Sequence, residues 1–321
     1  MALRHTFSSA IADGADATLV RPSAWNAEHV ADAGGLQTTI ASTDPAPAAG
    51  QANVYVKAVG GYTGLKWVGA NLVDKLAQTC LGQDKIAWGT ANGNSTTVMN
   101  WYNILAPTFV GTATARNWAT TNLLTRTRRL GYVSAAAAGS LASMYFTVSQ
   151  FSLGVPGTPP IGGFLMIARF GVSDAAAVSG ARMFVGMSSA VAAPTNVEPS
   201  TLTNSVGVAQ LSGSTNLQIV YGGSAAQTAI DLGANFPAAT LSTDLYELVL
   251  YANPAANNTV GYKVSRLNTS YVAEGTLTAG TPGTQLPANS TALCARAWRC
   301  NNATALAVGL DLISIYIQTD D

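Results

Sequence analysis

Between Leu245 and Leu277 the chain writes three strands in a row with almost nothing between them. Leu245-Tyr246-Glu247-Leu248-Val249-Leu250-Tyr251 is a strand-length apolar and aromatic run. Ala252 to Asn258 closes it with a Pro- and Asn-containing loop that has no helical continuation. Val260 to Leu267 then alternates: Val260, Tyr262, Val264 and Leu267 fall near one face, and Lys263, Ser265 and Arg266 near the other. Asn268-Thr269-Ser270 turns the chain again into Tyr271 to Leu277. Connections this short leave no room for a crossover helix, so the three strands pair antiparallel, with one face packed and one wet.

The same grammar extends over most of the chain beyond Pro107. Strand patterns are read at Arg126 to Val133, Met144 to Ser149, Phe164 to Val172, Ala181 to Met187, Val206 to Gln210, Leu217 to Tyr221 and Leu306 to Ile317. No amphipathic helix of useful length interrupts them, and Ala190 to Pro199 is the one short helix or loop excursion. The expected fold is therefore mainly β, an antiparallel two-sheet β-sandwich of the jelly-roll or concanavalin type spanning 106–321.

Three pieces precede it. Residues 1–35 hold turn formers and Trp25 but nothing that encloses a core, so the segment must lean on something else. Residues 36–70 begin with a Pro-Ala linker and continue as a β-hairpin, Asn53 to Val59 and Leu65 to Val68, joined through Gly60 and Gly61. A lone hairpin is marginal in water, so it is expected to pair with copies from neighbouring chains. Residues 71–105 form a connector in which Leu72 to Leu81 reads as either helix or strand, and Trp88 to Thr97 reads as a polar loop.

Composition excludes several classes of function. Of 321 residues only 10% are charged, and the 16 basic residues balance the 16 acidic ones. No net field draws nucleic acid or an acidic membrane. Apolar runs stop well short of the roughly twenty residues that span a bilayer, and no signal core follows Met1, so a soluble chain without its own export signal is expected. The two histidines, His5 and His29, both fall in the N-terminal segment 1–35 and none falls in 106–321, so Ser-His-Asp and histidine-metal chemistry are not expected in the sandwich. Neither a metal nor a cofactor is expected. Cys80, Cys294 and Cys300 lack a zinc or disulfide-framework spacing and are read as buried thiols, with a Cys294–Cys300 disulfide as the alternative.

The segment Arg21-Pro22-Ser23-Ala24-Trp25-Asn26-Ala27-Glu28-His29, the Asn53 to Val68 hairpin behind its linker, and Arg128-Arg129-Leu130-Gly131-Tyr132-Val133-Ser134-Ala135-Ala136-Ala137-Ala138-Gly139-Ser140-Leu141 resemble tailed-bacteriophage virion fibre proteins of the tail-fibre, spike or head-fibre kind. The later strand order resembles the lectin-like sandwich domains of such fibres. The resemblance implies a homotrimer in the virion, attached by its N-terminus to other virion proteins of the tail, portal, adaptor or capsid and projecting its C-terminal domain. Arg21, Pro22 and Trp25 are the residues expected to dock, with a frayed terminus as the plainer reading of this segment. A head fibre or decoration protein without a receptor role is the alternative setting.

An enzymatic reading, a capsule-degrading tailspike, needs two carboxylates facing across a sugar. Glu247 and Glu274 are the candidates on neighbouring strands, but both sit at polar-face positions where a solvated charge is the ordinary occupant. Sugar binding without cleavage fits better, because the chain is rich in hydroxyl and amide groups. Trp298, between Arg296 and Arg299, with Asn301 and Asn302 after it, forms the candidate site for a host-surface glycan. If the N-terminal anchor is as read, deleting Met1 to Gly34 leaves a folded C-terminal domain that is missing from particles when virions are probed by immunoblot.

Overall fold

The computed structural model describes residues 2–3, 29–30, 53–68, 74–76, 85–157, 161–254, 258–281 and 283–319. Arg21, Pro22 and Trp25, the residues expected to dock, lie outside them, as do His5 and Cys80. The chain divides into two compact units: the described residues within 1–57 and 65–76, and residues 58–64 with those described within 77–321.

The short strands β1 (Ala2–Leu3) and β2 (His29–Val30) pair antiparallel. A three-stranded sheet follows in the order β3 (Asn53–Val59), β4 (Tyr62–Val68) and β5 (Asp74–Leu76). Gly60 and Gly61 make the hairpin turn at φ +58° and +88°, where a side chain would be strained. The expected hairpin is present but does not stand alone, since β5 adds a third strand from the same chain. The helix-or-strand ambiguity therefore resolves to strand at 74–76.

The remaining strands are β6 (Lys85–Ala91), β7 (Met99–Tyr102), β8 (Thr108–Val110), β9 (Thr112–Ala115), β10 (Leu130–Val133) and β11 (Leu141–Tyr145). After them come β12 (Phe164–Val172), β13 (Arg182–Ser188), β14 (Ser205–Gln210), β15 (Leu217–Gly222) and β16 (Ile230–Asp231). The chain ends with β17 (Tyr246–Ala252), β18 (Thr259–Arg266), β19 (Val272–Thr278), β20 (Cys294–Cys300) and β21 (Gly309–Thr319). They form two antiparallel sheets. One runs β19-β18-β17-β12-β21-β10-β9, with β6 and β7 attached beside β21; the other runs β16-β15-β14-β13-β20-β11-β8. This is the mainly β, antiparallel sandwich read from the sequence, and the meander at 245–277 forms one end of the larger sheet.

Several local expectations differ from what is observed. Trp88 to Ala91 is strand, not polar loop, because β6 pairs with the far half of β21 from Ser314↔Thr90 to Thr319↔Lys85. Arg126 ends a one-turn helix, α1 (Leu123–Arg126), rather than opening a strand. Asn122 caps α1: its Oδ1 accepts from Thr125 N at 2.9 Å while Thr125 Oγ1 accepts from Asn122 N at 3.1 Å. Leu267 packs with Leu124, Leu245 and Ile313 on the face opposite Val260, Tyr262 and Val264.

Period-2 alternation places the core. Phe164, Met166, Ala168, Phe170 and Val172 of β12 face Met183, Val185 and Met187 of β13 and Ala295 and Ala297 of β20 in one buried cluster. β21 keeps its apolar side inward over eleven residues only by changing phase. Arg169 pairs with Ser314 and Phe170 with Leu312, so Ile313 is an extra residue in a β-bulge. Leu310 and Leu312 point inward before it, Ile315 and Ile317 after it, and Ile313 itself packs outward on Leu124.

One polar contact is built into this core. Arg299 of β20 donates from Nε to Asp174 Oδ1 at 2.8 Å and from Nη1 to Gln210 Oε1 at 2.7 Å, and Asp174 also accepts from Gly309 N at 2.8 Å. Both charged side chains are fully buried. The pair ties the end of β12 in one sheet to β20 in the other. Removing one partner strands a buried charge, at a cost of about 3–5 kcal/mol. Asp174→Ala is therefore expected to lower the melting temperature by roughly 10 °C in a domain of this size, read by circular dichroism.

Candidate functional site

β20 is buried at every one of its seven positions. Its inward side carries Ala295, Ala297 and Arg299; its outward side carries Cys294, Arg296, Trp298 and Cys300. A strand can be dry on both faces only if something covers the outward one. Here the cover is the connection from β13 to β14, residues 189–204, which folds back over the sheet.

Two arginines hold that loop down. Arg296 donates from Nη1 to Ala190 O at 2.7 Å and from Nη2 to Ala192 O at 2.9 Å. Arg182 donates from Nε to Glu198 Oε2 at 2.9 Å and from Nη1 to Asn196 Oδ1 at 2.7 Å, and Glu198 also accepts from Ser212 N and Ser212 Oγ. Pro199 opens a single 3-10 turn, Pro199–Thr201, which delivers Leu202 to the sheet. The excursion anticipated at Ala190 to Pro199 is thus a loop. Val197 and Leu202 pack against Phe184, Val220 and Trp298 in a small second core.

Where the loop arches away from β20 it leaves a groove of about 330 Å³. Arg296 and Trp298 line it from the strand, Ala192, Pro194 and Val197 from the loop, and Ser188 and Thr195 contribute hydroxyls. The size lies at the low end of small-ligand sites, enough for one or two sugar rings. Burial lowers the pKa of the Arg296 guanidinium and raises that of the neighbouring Cys294 thiol.

The residues expected to bind a glycan are not all brought here. Trp298 lines the groove, but it is only 1% exposed and pairs across the sheet with Phe184, so little of its ring is open for stacking. Asn301 and Asn302 do not line it. Asn301 is fully buried, its Nδ2 donating to Ala137 O at 2.9 Å and Leu306 O at 2.8 Å, and Asn302 turns the chain at φ +54°. The sequence marks Ala190 to Pro199 as an excursion and Arg296 as a neighbour of Trp298, but assigns neither to the binding site. The available signal was an arginine inside the apolar alternation Ala295-Ala297.

The carboxylates are mostly occupied. Asp174, Glu198, Asp244, Glu247 and Asp311 each form an ion pair with an arginine. Glu247 and Glu274 do not meet: Glu247 lies opposite Ser265, Glu274 lies opposite Lys263, and all of β18 stands between them, so they are on the order of 10 Å apart. Cys294 and Cys300 are free, buried thiols six residues apart on one extended strand, a span no disulfide bridges. Among the described residues no cluster of three His, Cys, Asp or Glu could hold a metal ion.

No protein-family model and no curated protein matches this chain. Among solved structures it is similar to lectin II from Ulex europaeus, at 11% identity over 75% of this chain and 100% of that one with a TM-score of 0.47. It is also similar to arcelin-5, a lectin-like defense protein from Phaseolus vulgaris, at 9% identity over 67% and 92% with a TM-score of 0.41. A Bacillus licheniformis β-glucanase aligns at 12% identity over 73% and 92% with a TM-score of 0.37. What the groove does is therefore argued from its own residues.

Trp298 anchors the second core, so Trp298→Ala is expected to cost about 3–5 kcal/mol of stability, seen as a lowered midpoint in urea unfolding. An unchanged midpoint would mean that the loop layer contributes nothing to the fold.

Proposed function

We propose that this protein is a non-catalytic, glycan-binding module of a bacteriophage virion fibre, displayed in three copies and attached to the particle by its N-terminal segment. The groove between β20 and the 189–204 loop carries the binding part of this reading. It is a concavity on an otherwise covered sheet, walled by apolar side chains, two hydroxyls and Arg296, and held open by two arginine clamps rather than by a mobile lid. Pre-organisation of this kind lowers the entropy cost of binding a small ligand.

Binding without cleavage is supported by the carboxylates. The two on the meander, Glu247 and Glu274, are separated by a strand, and Glu198, the one carboxylate belonging to the loop, is saturated by Arg182 and Ser212. Neither arrangement offers the facing acid and base that glycoside hydrolysis requires. The virion setting is supported by the motifs at 21–29, 53–68 and 128–141. Three copies on a fibre, and several fibres on a particle, raise the effective concentration for later contacts, so a weak single groove suffices for host attachment.

The test uses the full chain on a glycan array, with light scattering to count subunits. The expected result is a trimer that retains a defined set of glycans and releases no shortened products. Ala193 is exposed at the groove, so Ala193→Trp should fill it, abolishing retention while leaving the melting curve in place. Retention unchanged by Ala193→Trp would move the site elsewhere, and steady release of oligosaccharides would replace the binding reading with a hydrolase.

A further inference from the structure

The described part of the chain buries three arginines, Arg129, Arg296 and Arg299. Arg129 meets Asp311 at 2.9 Å, and Arg299 meets Asp174. Arg296, 7% exposed, has no carboxylate among the described residues within ion-pair distance. Its partners are the carbonyls of Ala190 and Ala192 and the Tyr145 ring, whose centroid lies 5.9 Å from the guanidinium carbon. Of the five N–H donors of a guanidinium, these carbonyls take two, which leaves three. The charged neighbours do not offset it either, since burial raises the Cys294 thiol and keeps it protonated. A buried cation without a counter-charge is costly, and proteins ordinarily avoid one by pairing. Among the described residues the other two are paired with carboxylates and the one that lines the groove is not.

We infer that the groove takes an acidic saccharide, whose carboxylate or sulfate supplies the anion that Arg296 lacks. This rests on the glycan-binding reading of the groove and names the ligand class within it. The planar guanidinium, fixed by two carbonyls and a ring, is pre-set for charge-assisted hydrogen bonds to an anionic oxygen pair. Beside Arg296 the groove walls are alanine, proline, valine, leucine and the edge of Trp298 with two hydroxyls, which suit the apolar and hydroxyl parts of one sugar unit around that anion. The surrounding surface adds no competing cation field, because the whole chain is close to neutral. Discrimination between acidic and neutral sugars therefore falls on this one side chain.

The experiment measures binding of the full chain to glucuronic-acid-terminated, N-acetylneuraminic-acid-terminated and sulfated glycans, each beside its neutral counterpart, carboxyl-reduced or desulfated. The expected result is at least about tenfold weaker binding after the charge is removed, and loss of that difference in Arg296→Met, with Arg296→Lys intermediate because it keeps the charge but not the fork. Melting curves establish that each variant is folded. If Arg296→Met does not fold, the wild-type comparison between charged and neutralised glycans decides by itself. Equal binding of acidic and neutral glycans overturns the inference while leaving the groove a glycan site. Binding of no glycan at all overturns the glycan reading and this inference with it. Preference for an acidic peptide over every glycan overturns the saccharide class.

Discussion

A central strand that is dry on both faces is the constraint on which this architecture depends. β20 contributes alanines and an arginine to the space between the sheets, and cysteines, an arginine and a tryptophan to the space outside. The inter-sheet core satisfies the first side by ordinary sandwich packing. The second requires a layer that neither sheet provides, and the 189–204 loop supplies it. The groove is a by-product of that covering. A loop clamped at its start by Arg296 and in its middle by Arg182 cannot lie flat along the whole sheet, and the space left under its arch is lined by the clamp itself.

Arginine does more structural work here than its abundance suggests. With few charges available, the chain places them where two pieces of backbone must be held together. Arg116 and Arg129 converge on Asp311 of β21, Arg266 holds Asp244 ahead of β17, and Arg299 crosses between the sheets to Asp174. Each is a planar fork of five N–H donors in fixed geometry, which the point-like ammonium of a lysine does not offer. Against that pattern, Arg296 stands out for having carbonyls and a ring, and no carboxylate, as its partners among the described residues. Its place at the groove turns an electrostatic imbalance into a candidate recognition element.

The bulge at Ile313 shows how one residue reconciles two demands on a long strand. β21 must keep an apolar face toward β13 and β20 while pairing with β10 along its first part and β6 along its second. An uninterrupted strand would have to choose one parity. The extra residue rotates the second half, returns Ile315 and Ile317 to the core, and offers Ile313 to the underside of α1.

Local pattern determined a good deal of this protein. The meander, β12 at Phe164–Val172, the pairing sense of the strands and the glycine turn at Gly60-Gly61 all follow from period 2, short connections and positive-φ residues, which act between neighbours in sequence. β20 was hidden because Arg296 and Arg299 look solvent-facing until partners 125 residues away in sequence are known to bury one of them. β6 was hidden for a related reason: Trp88-Gly89-Thr90 looks like a loop until the far half of β21 is there to pair with it. Trp298 was legible as important, but whether its ring meets a sugar or Phe184 depended on a loop that folds over the sheet only in three dimensions. Period and turn chemistry are carried by adjacent residues, so the sequence alone determines strands and their antiparallel sense. Burial of a charge and the shape of a groove are set by contacts between distant segments, and those only the tertiary structure decided.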